Sequence, residues 1–164
     1  MSLSKAIEIA LKMETDAMKF YREAVSRTSH PLGRKLFEGF VVDETRHLKM
    51  LQNIMDDMDI EVKVVHPKQD IKTIFSELKD EMMERISATT NEVEAVKIAL
   101  DFEKKGHAFY EKAAQEAAGG KEKTLFEVLA VEEKRHYEVL ENTYNFFEDT
   151  GNWFMWEEHG MLEG

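Results

Sequence analysis

Apolar residues recur along most of this chain at the i, i+3, i+4, i+7 spacing of a helix with one buried face. From about residue 4 to 27 the stripe is Ile7, Ala10, Leu11, Ala17, Met18, Tyr21 and Val25. Thr28, Ser29, His30 and Pro31 interrupt it, and Pro31 suits the first turn of a second helix over about 31–56. That helix places Leu36, Phe37, Phe40, Val41, Leu48, Leu51 and Ile54 on one face. A third, over about 91–118, carries Val96, Ala99, Leu100, Tyr110 and Ala114; Asn91 reads as its N-cap with Glu94 as partner, and Gly119-Gly120 stops it. The fourth, over about 121–148, shows Phe126, Leu129, Ala130, Tyr137, Leu140 and Tyr144. Residues 57–90 break the pattern, although Ile71, Ile74, Phe75, Leu78, Met82 and Ile86 suggest a short amphipathic helix within them. So long a connection is required where the next helix starts at the far end of a bundle. The expectation is an all-α, single-domain four-helix bundle over residues 1–164, with a crossover at 57–90 and an aromatic tail at 149–164.

Polar residues interrupt each stripe at its middle: Glu14, then Glu44 and His47, then Glu103, then Glu133 and His136. A carboxylate and an imidazole three apart on a helix point the same way, and so offer two ligands to one metal ion. The turns can be tested against this. Midway between Glu14 and Glu44 is position 29, and midway between Glu103 and Glu133 is position 118, so each turn falls where an antiparallel hairpin would bring its candidates level.

The two halves repeat. Glu14 and Glu103, Glu44 and Glu133, and His47 and His136 are each 89 residues apart, and at the same offset Tyr21 meets Tyr110, Phe37 meets Phe126, and Arg46 meets Arg135. Such identities point to a duplicated helix hairpin, packed about a pseudo-two-fold axis that gathers four Glu and two His at one level of the core.

Composition narrows the chemistry. With 33 Asp+Glu against 22 Lys+Arg, a net charge of −11 argues against nucleic acid and gives no basic face to an anionic membrane. No cysteine is present, which excludes disulfides, thiol catalysis and Cys-ligated metals by inventory. No apolar run reaches the length of a membrane span, and the N-terminus lacks a signal-peptide pattern, so a cytoplasmic protein is expected. An unpaired buried carboxylate costs several kcal/mol, and four together also repel one another. Two divalent cations would neutralise them, with two imidazoles completing the shells. Oxygen ligands with one imidazole per metal suit iron(II) or manganese(II), with zinc also open. A metal-free ion-pair cluster is the alternative.

This arrangement resembles the ferritin-like di-iron carboxylate proteins, whose bundles take a Glu from each of two helices and Glu-x-x-His from the other two. Within them it is most similar to the rubrerythrins, because Tyr21 and Tyr110 each follow a candidate Glu by seven residues. The resemblance implies a ferritin-like fold over about residues 4–145 and two iron ions. Glu44 and Glu133 would bridge them, Glu14 and Glu103 would bind at the ends, and His47 and His136 would take one each. It also implies that Tyr21 and Tyr110 hydrogen-bond ligand carboxylates. Two features depart from the family. Rubrerythrins carry a further glutamate on the third helix, where this chain has Gly106, and their rubredoxin domain is missing, in keeping with the absence of cysteine. Electrons are then expected from a separate donor protein.

Asp43, Glu132, Arg46 and Arg135 are candidates either to orient the histidines or for surface charge. His107 follows Gly106 and is weighed as a site residue against an ordinary core or surface histidine; His30, His66 and His159 have no ligand spacing. Trp153, Phe154 and Trp156 in the tail are expected to pack on the bundle or a dimer partner, with donor docking as the alternative. The leading expectation is a homodimeric oxidoreductase that reduces peroxide or dioxygen. The alternatives are iron storage or buffering and a metal-free structural bundle.

Overall fold

The computed structural model describes residues 1–56 and 90–148. They form four α-helices, α1 (Leu3–Arg27), α2 (Pro31–Met55), α3 (Thr90–Glu116) and α4 (Gly120–Glu148), with no strand among the described residues. The expected crossover with its short helix, the aromatic tail, His66 and His159 lie outside the described residues, apart from Thr90, which opens α3.

Local chemistry sets the helix ends. Ser2 caps α1 by accepting a hydrogen bond from the Lys5 amide at 3.2 Å. His30 caps α2, its Nδ1 accepting from the Leu32 amide at 3.2 Å, and Pro31 occupies the first helical position, where its missing N–H costs nothing. Gly119 and Gly120 take φ values of 119° and 73°, a left-handed conformation that turns the chain between α3 and α4 at no Cβ penalty. The start of α3 corrects the expectation. Thr90 is already helical, so Asn91 lies inside the helix, and Glu94 pairs with Lys97 rather than reaching back to a cap.

The hairpins are α1–α2 and α3–α4, and they meet along α1 with α3 and α2 with α4. Their apolar faces form two separate clusters. One contains Tyr21, Phe37, Phe40, Val96, Ala99 and Leu140; the other contains Tyr110, Phe126, Leu129, Ile7, Ala10 and Leu51. Every residue of the first set lies 89 positions from its counterpart in the second, so the pseudo-two-fold relation exchanges the clusters. Ring geometry repeats as well. Tyr21 stacks on Phe37 at 5.9 Å and 25°, and Tyr110 on Phe126 at 6.2 Å and 23°. On each helix the Glu, or the Glu and His, falls in sequence between residues of one cluster and residues of the other. The polar level is therefore sealed above and below by apolar layers.

Candidate metal centre

Each helix delivers its side chains to that level from the same stripe that buries its leucines and aromatics. Glu14, Glu44, His47, Glu103, Glu133 and His136 are all buried, with no side chain more than a few per cent exposed. They fall into two groups of potential metal-binding atoms. Glu14, Glu44, His47 and Glu133 form one, and Glu44, Glu103, Glu133 and His136 the other, with the ligand atoms of each group within 4.8 Å of one another. Glu44 and Glu133 belong to both. The histidines present Nδ1 to the carboxylates. His47 Nδ1 is 3.5 Å from Glu14 Oε1, Glu44 Oε2 and Glu133 Oε1, and His136 Nδ1 is 3.3 Å from Glu44 Oε1 and 3.4 Å from Glu103 Oε1.

Several of these atoms have no hydrogen-bond partner: both carboxylate oxygens of Glu44, Glu103 Oε2, and Nδ1 of both histidines. A buried acceptor left in that state costs about 1–3 kcal/mol, more when charged. Six inward-facing ligand candidates, four of them with buried lone pairs unused, are what a cation site requires and what an ion-pair network avoids. The donor chemistry therefore fits two divalent metal ions.

The surrounding residues hold this set in position across the hairpins. Tyr21 on α1 donates to Glu103 Oε1 on α3, and Tyr110 on α3 donates to Glu14 Oε1 on α1 at 2.5 Å. Asp43 and Glu132, each one residue before a central glutamate, are buried and face the outer nitrogen of the opposite histidine. His136 Nε2 lies 2.9 Å from Asp43 Oδ2, a hydrogen bond; His47 Nε2 lies 3.4 Å from Glu132 Oε2, an ion-pair approach without one. A carboxylate behind a ligating imidazole fixes ring orientation and tautomer.

Arg46 grips Glu132 with both terminal nitrogens, Nη1 reaching Oε2 at 3.0 Å, and also lies 3.5 Å from Asp43. Its counterpart Arg135 instead pairs with Glu138 at 3.5 Å on the surface. Arg46 thus supports a histidine through Glu132. His107 is half-buried, with Nδ1 2.8 Å from the Ala130 carbonyl and Nε2 3.4 Å from Glu111, so it belongs to the α3–α4 packing and not to the buried cluster.

Protonation follows from crowding. Burial disfavours the charged form of Glu44, but the His136 and His47 rings outweigh it and hold the carboxyl at about 2. Glu133 is pushed well above the usual carboxylate range by burial and by the charges of Glu103 and Glu44. Burial opposes charge on His47 and His136, yet the surrounding carboxylates raise both well above the usual imidazole range. Protons thus occupy places that metal ions can take, which is the linkage expected of carboxylate–imidazole sites.

The sequence reading missed Glu92. This buried carboxylate, in the first turn of α3, accepts from the Ser29 amide at 2.8 Å and the His30 amide at 2.7 Å, tying the α1–α2 turn to the other hairpin. Nothing in the repeat could signal it, because its counterpart 89 positions earlier is Leu3.

No individual curated protein and no solved structure matches the chain significantly. A family model does: the rubrerythrin model matches residues 5–144, a span that contains the six inward-facing residues, both tyrosines and the described parts of all four helices but their outermost residues. With that match over most of its length, the chain belongs to the rubrerythrin family, and its bundle is a domain of the ferritin-like di-iron superfamily.

Proposed function

We propose that this protein is a di-iron oxidoreductase that reduces peroxide or dioxygen with electrons from a separate donor protein. The observation that supports it most is the sharing of Glu44 and Glu133 between two otherwise distinct sets of potential ligands. In this reading Glu44 and Glu133 would be shared by two iron ions, one of which Glu14 and His47 would also hold and the other Glu103 and His136. A ferrous pair held there supplies two electrons, the number that one O–O bond takes up on cleavage.

The chain's own residues do the remaining work. Tyr21 and Tyr110 hold the terminal carboxylates Glu103 and Glu14 by single hydrogen bonds, which leaves each glutamate its second oxygen for a metal. Asp43, hydrogen-bonded to His136 Nε2, would keep that ring's proton outward and its Nδ1 lone pair inward, and the charge of Glu132, 3.4 Å from His47 Nε2, would favour the same tautomer there. Arg46 offsets the charge of buried Glu132. The two apolar clusters limit the approach of water. No helix among the described residues is long and apolar enough to cross a membrane, which is compatible with a cytoplasmic homodimer.

Anaerobic loading with iron(II), followed by hydrogen peroxide, tests the reading. It requires that about two iron(II) be bound and oxidised per chain. Failure to oxidise them would sink the proposal. Light scattering separates it from iron storage, which needs a large hollow assembly and not a dimer.

A further inference from the structure

The pseudo-two-fold relation leaves a cleft where α1 faces α3. Its lining pairs off at the offset of 89: Met13 with Phe102, Glu14 with Glu103, Asp16 with Lys105, and Ala17 with Gly106. Glu133 lines it as well, and the cleft measures about 270 Å³. Small residues open it. A Cβ added at Gly106 would lie 3.4 Å from Glu133 Oε2, so any larger side chain there would fill the space in front of that carboxylate. Glu103 is almost fully buried, and its Oε2 has no hydrogen-bond partner although its Oε1 is held by Tyr21. The cleft thus joins an apolar wall to carboxylates of the buried centre.

Its size and charge limit what it takes. The cleft has room for carbon atoms beside a pair of oxygens. Lys105, the one cation among the described lining residues, is 2.8 Å from Asp101, and three glutamates line the interior; neither favours an anion. Met13, Ala17 and Phe102 offer contact to carbon.

We propose that this cleft is the substrate site and that it binds small uncharged organic hydroperoxides, with the alkyl group against Met13, Ala17 and Phe102 and the O–O group toward Glu103 and Glu133. The inference rests on the di-iron reading for its redox step. In that step the hydroperoxide O–O bond breaks on taking two electrons from the ferrous pair and two protons from solvent. The products are the alcohol and water, and both irons end ferric.

Two measurements test it. In the first, iron(II)-loaded protein is mixed anaerobically with tert-butyl hydroperoxide or hydrogen peroxide, and ferric absorbance and tert-butanol are followed. Both oxidants are expected to react with the wild type. Ala17→Leu, which narrows the cleft, should slow tert-butyl hydroperoxide about tenfold more than it slows hydrogen peroxide. A wild type oxidised by hydrogen peroxide but inert to tert-butyl hydroperoxide overturns the cleft proposal alone, as does equal slowing of both by Ala17→Leu. Inertness to both overturns the di-iron reading and this inference with it. The second measurement needs no turnover. In redox-silent zinc-loaded protein with labelled methionine methyl groups, tert-butanol should shift the resonance of Met13, which lines the cleft, and leave that of Met50, which packs against the same apolar cluster but does not line the cleft, in place. Phe102→Ala alters a residue 37% exposed and should spare the fold while weakening that titration about threefold. An unmoved Met13 resonance, or an affinity unchanged in Phe102→Ala, overturns the proposal.

Discussion

Tyr21 donates its hydroxyl proton to Glu103 on the other hairpin and not to Glu14, seven residues before it on its own helix; Tyr110 returns the contact to Glu14 at 2.5 Å. Each half of the duplication thus holds a carboxylate belonging to the other. Both phenols stay protonated because burial, followed by nearby glutamate charge, pushes them well above the usual tyrosine range. Removing one hydroxyl leaves a buried carboxylate oxygen without its donor. Tyr21→Phe should therefore destabilise the metal-free protein by about 1–3 kcal/mol in urea unfolding. Tyr110→Phe should cost a similar amount. A loss confined to one of them would show that the two contacts are not equivalent in energy.

Glu44 and Glu133 are common to both ligand groups, whereas Glu14 and Glu103 belong to one each. Glu44→Ala should reduce bound manganese(II) from about two per chain to below one, and Glu14→Ala to about one. Metal analysis after equilibrium dialysis measures both. Equal losses in the two variants would contradict a shared role for Glu44.

The pH dependence of the metal-free protein has a definite sign. His47 and His136 have folded-state values raised above those of the unfolded chain by the carboxylates around them, against the effect of burial. Their contribution to stability is present in full below about pH 6.5 and is lost as pH rises through the raised values. Glu133, raised by burial and by Glu103 and Glu44, acts in the same direction. Glu44, held at about 2, acts in the opposite one, its contribution being lost only in acid. With chelator present, melting temperature should fall as pH rises from about 6.5 toward 9. Metal displaces the histidine protons, so the gain in melting temperature on adding zinc should grow over the same range. Calorimetry with and without metal checks this; a gain that did not vary with pH would argue that metal leaves those protons in place.

Arg46 and Glu132 can be separated from general surface charge. Glu132 is about 1% exposed, while the Arg46 side chain is 29% exposed, so solvent screens part of their attraction. Arg46→Met strands a buried carboxylate and should cost about 2 kcal/mol, below the 3–5 expected of a fully buried pair. Adding Glu132→Gln should recover part of that loss, because the amide carries no charge to strand. A double-mutant cycle in urea measures the coupling, and strictly additive losses would show the pair to be energetically idle.

Much of the centre was legible in the chain because it depends on spacing. Helical periodicity places Glu14, Glu44, His47 and their counterparts on buried faces, a hairpin turn midway between two residues brings them level, and a repeat of 89 positions doubles the arrangement. These are properties of one helix or one turn, and local sequence sets them. Asn91 shows the limit even there: a good capping residue sits inside α3, because α3 opens a residue earlier and Glu92 is committed to the opposite turn. Contacts between hairpins were beyond reach. That Tyr21 serves Glu103, that Asp43 backs His136 while Glu132 backs His47, that Arg46 is drawn to the buried carboxylates, and that Ala17 and Gly106 open a shared cleft all depend on how α1 meets α3 and how α2 meets α4. The sequence by itself determined which residues reach the core and at what height. Only the tertiary structure decided which of them face one another, because side chains from separate hairpins meet through packing, and no spacing along the chain encodes that.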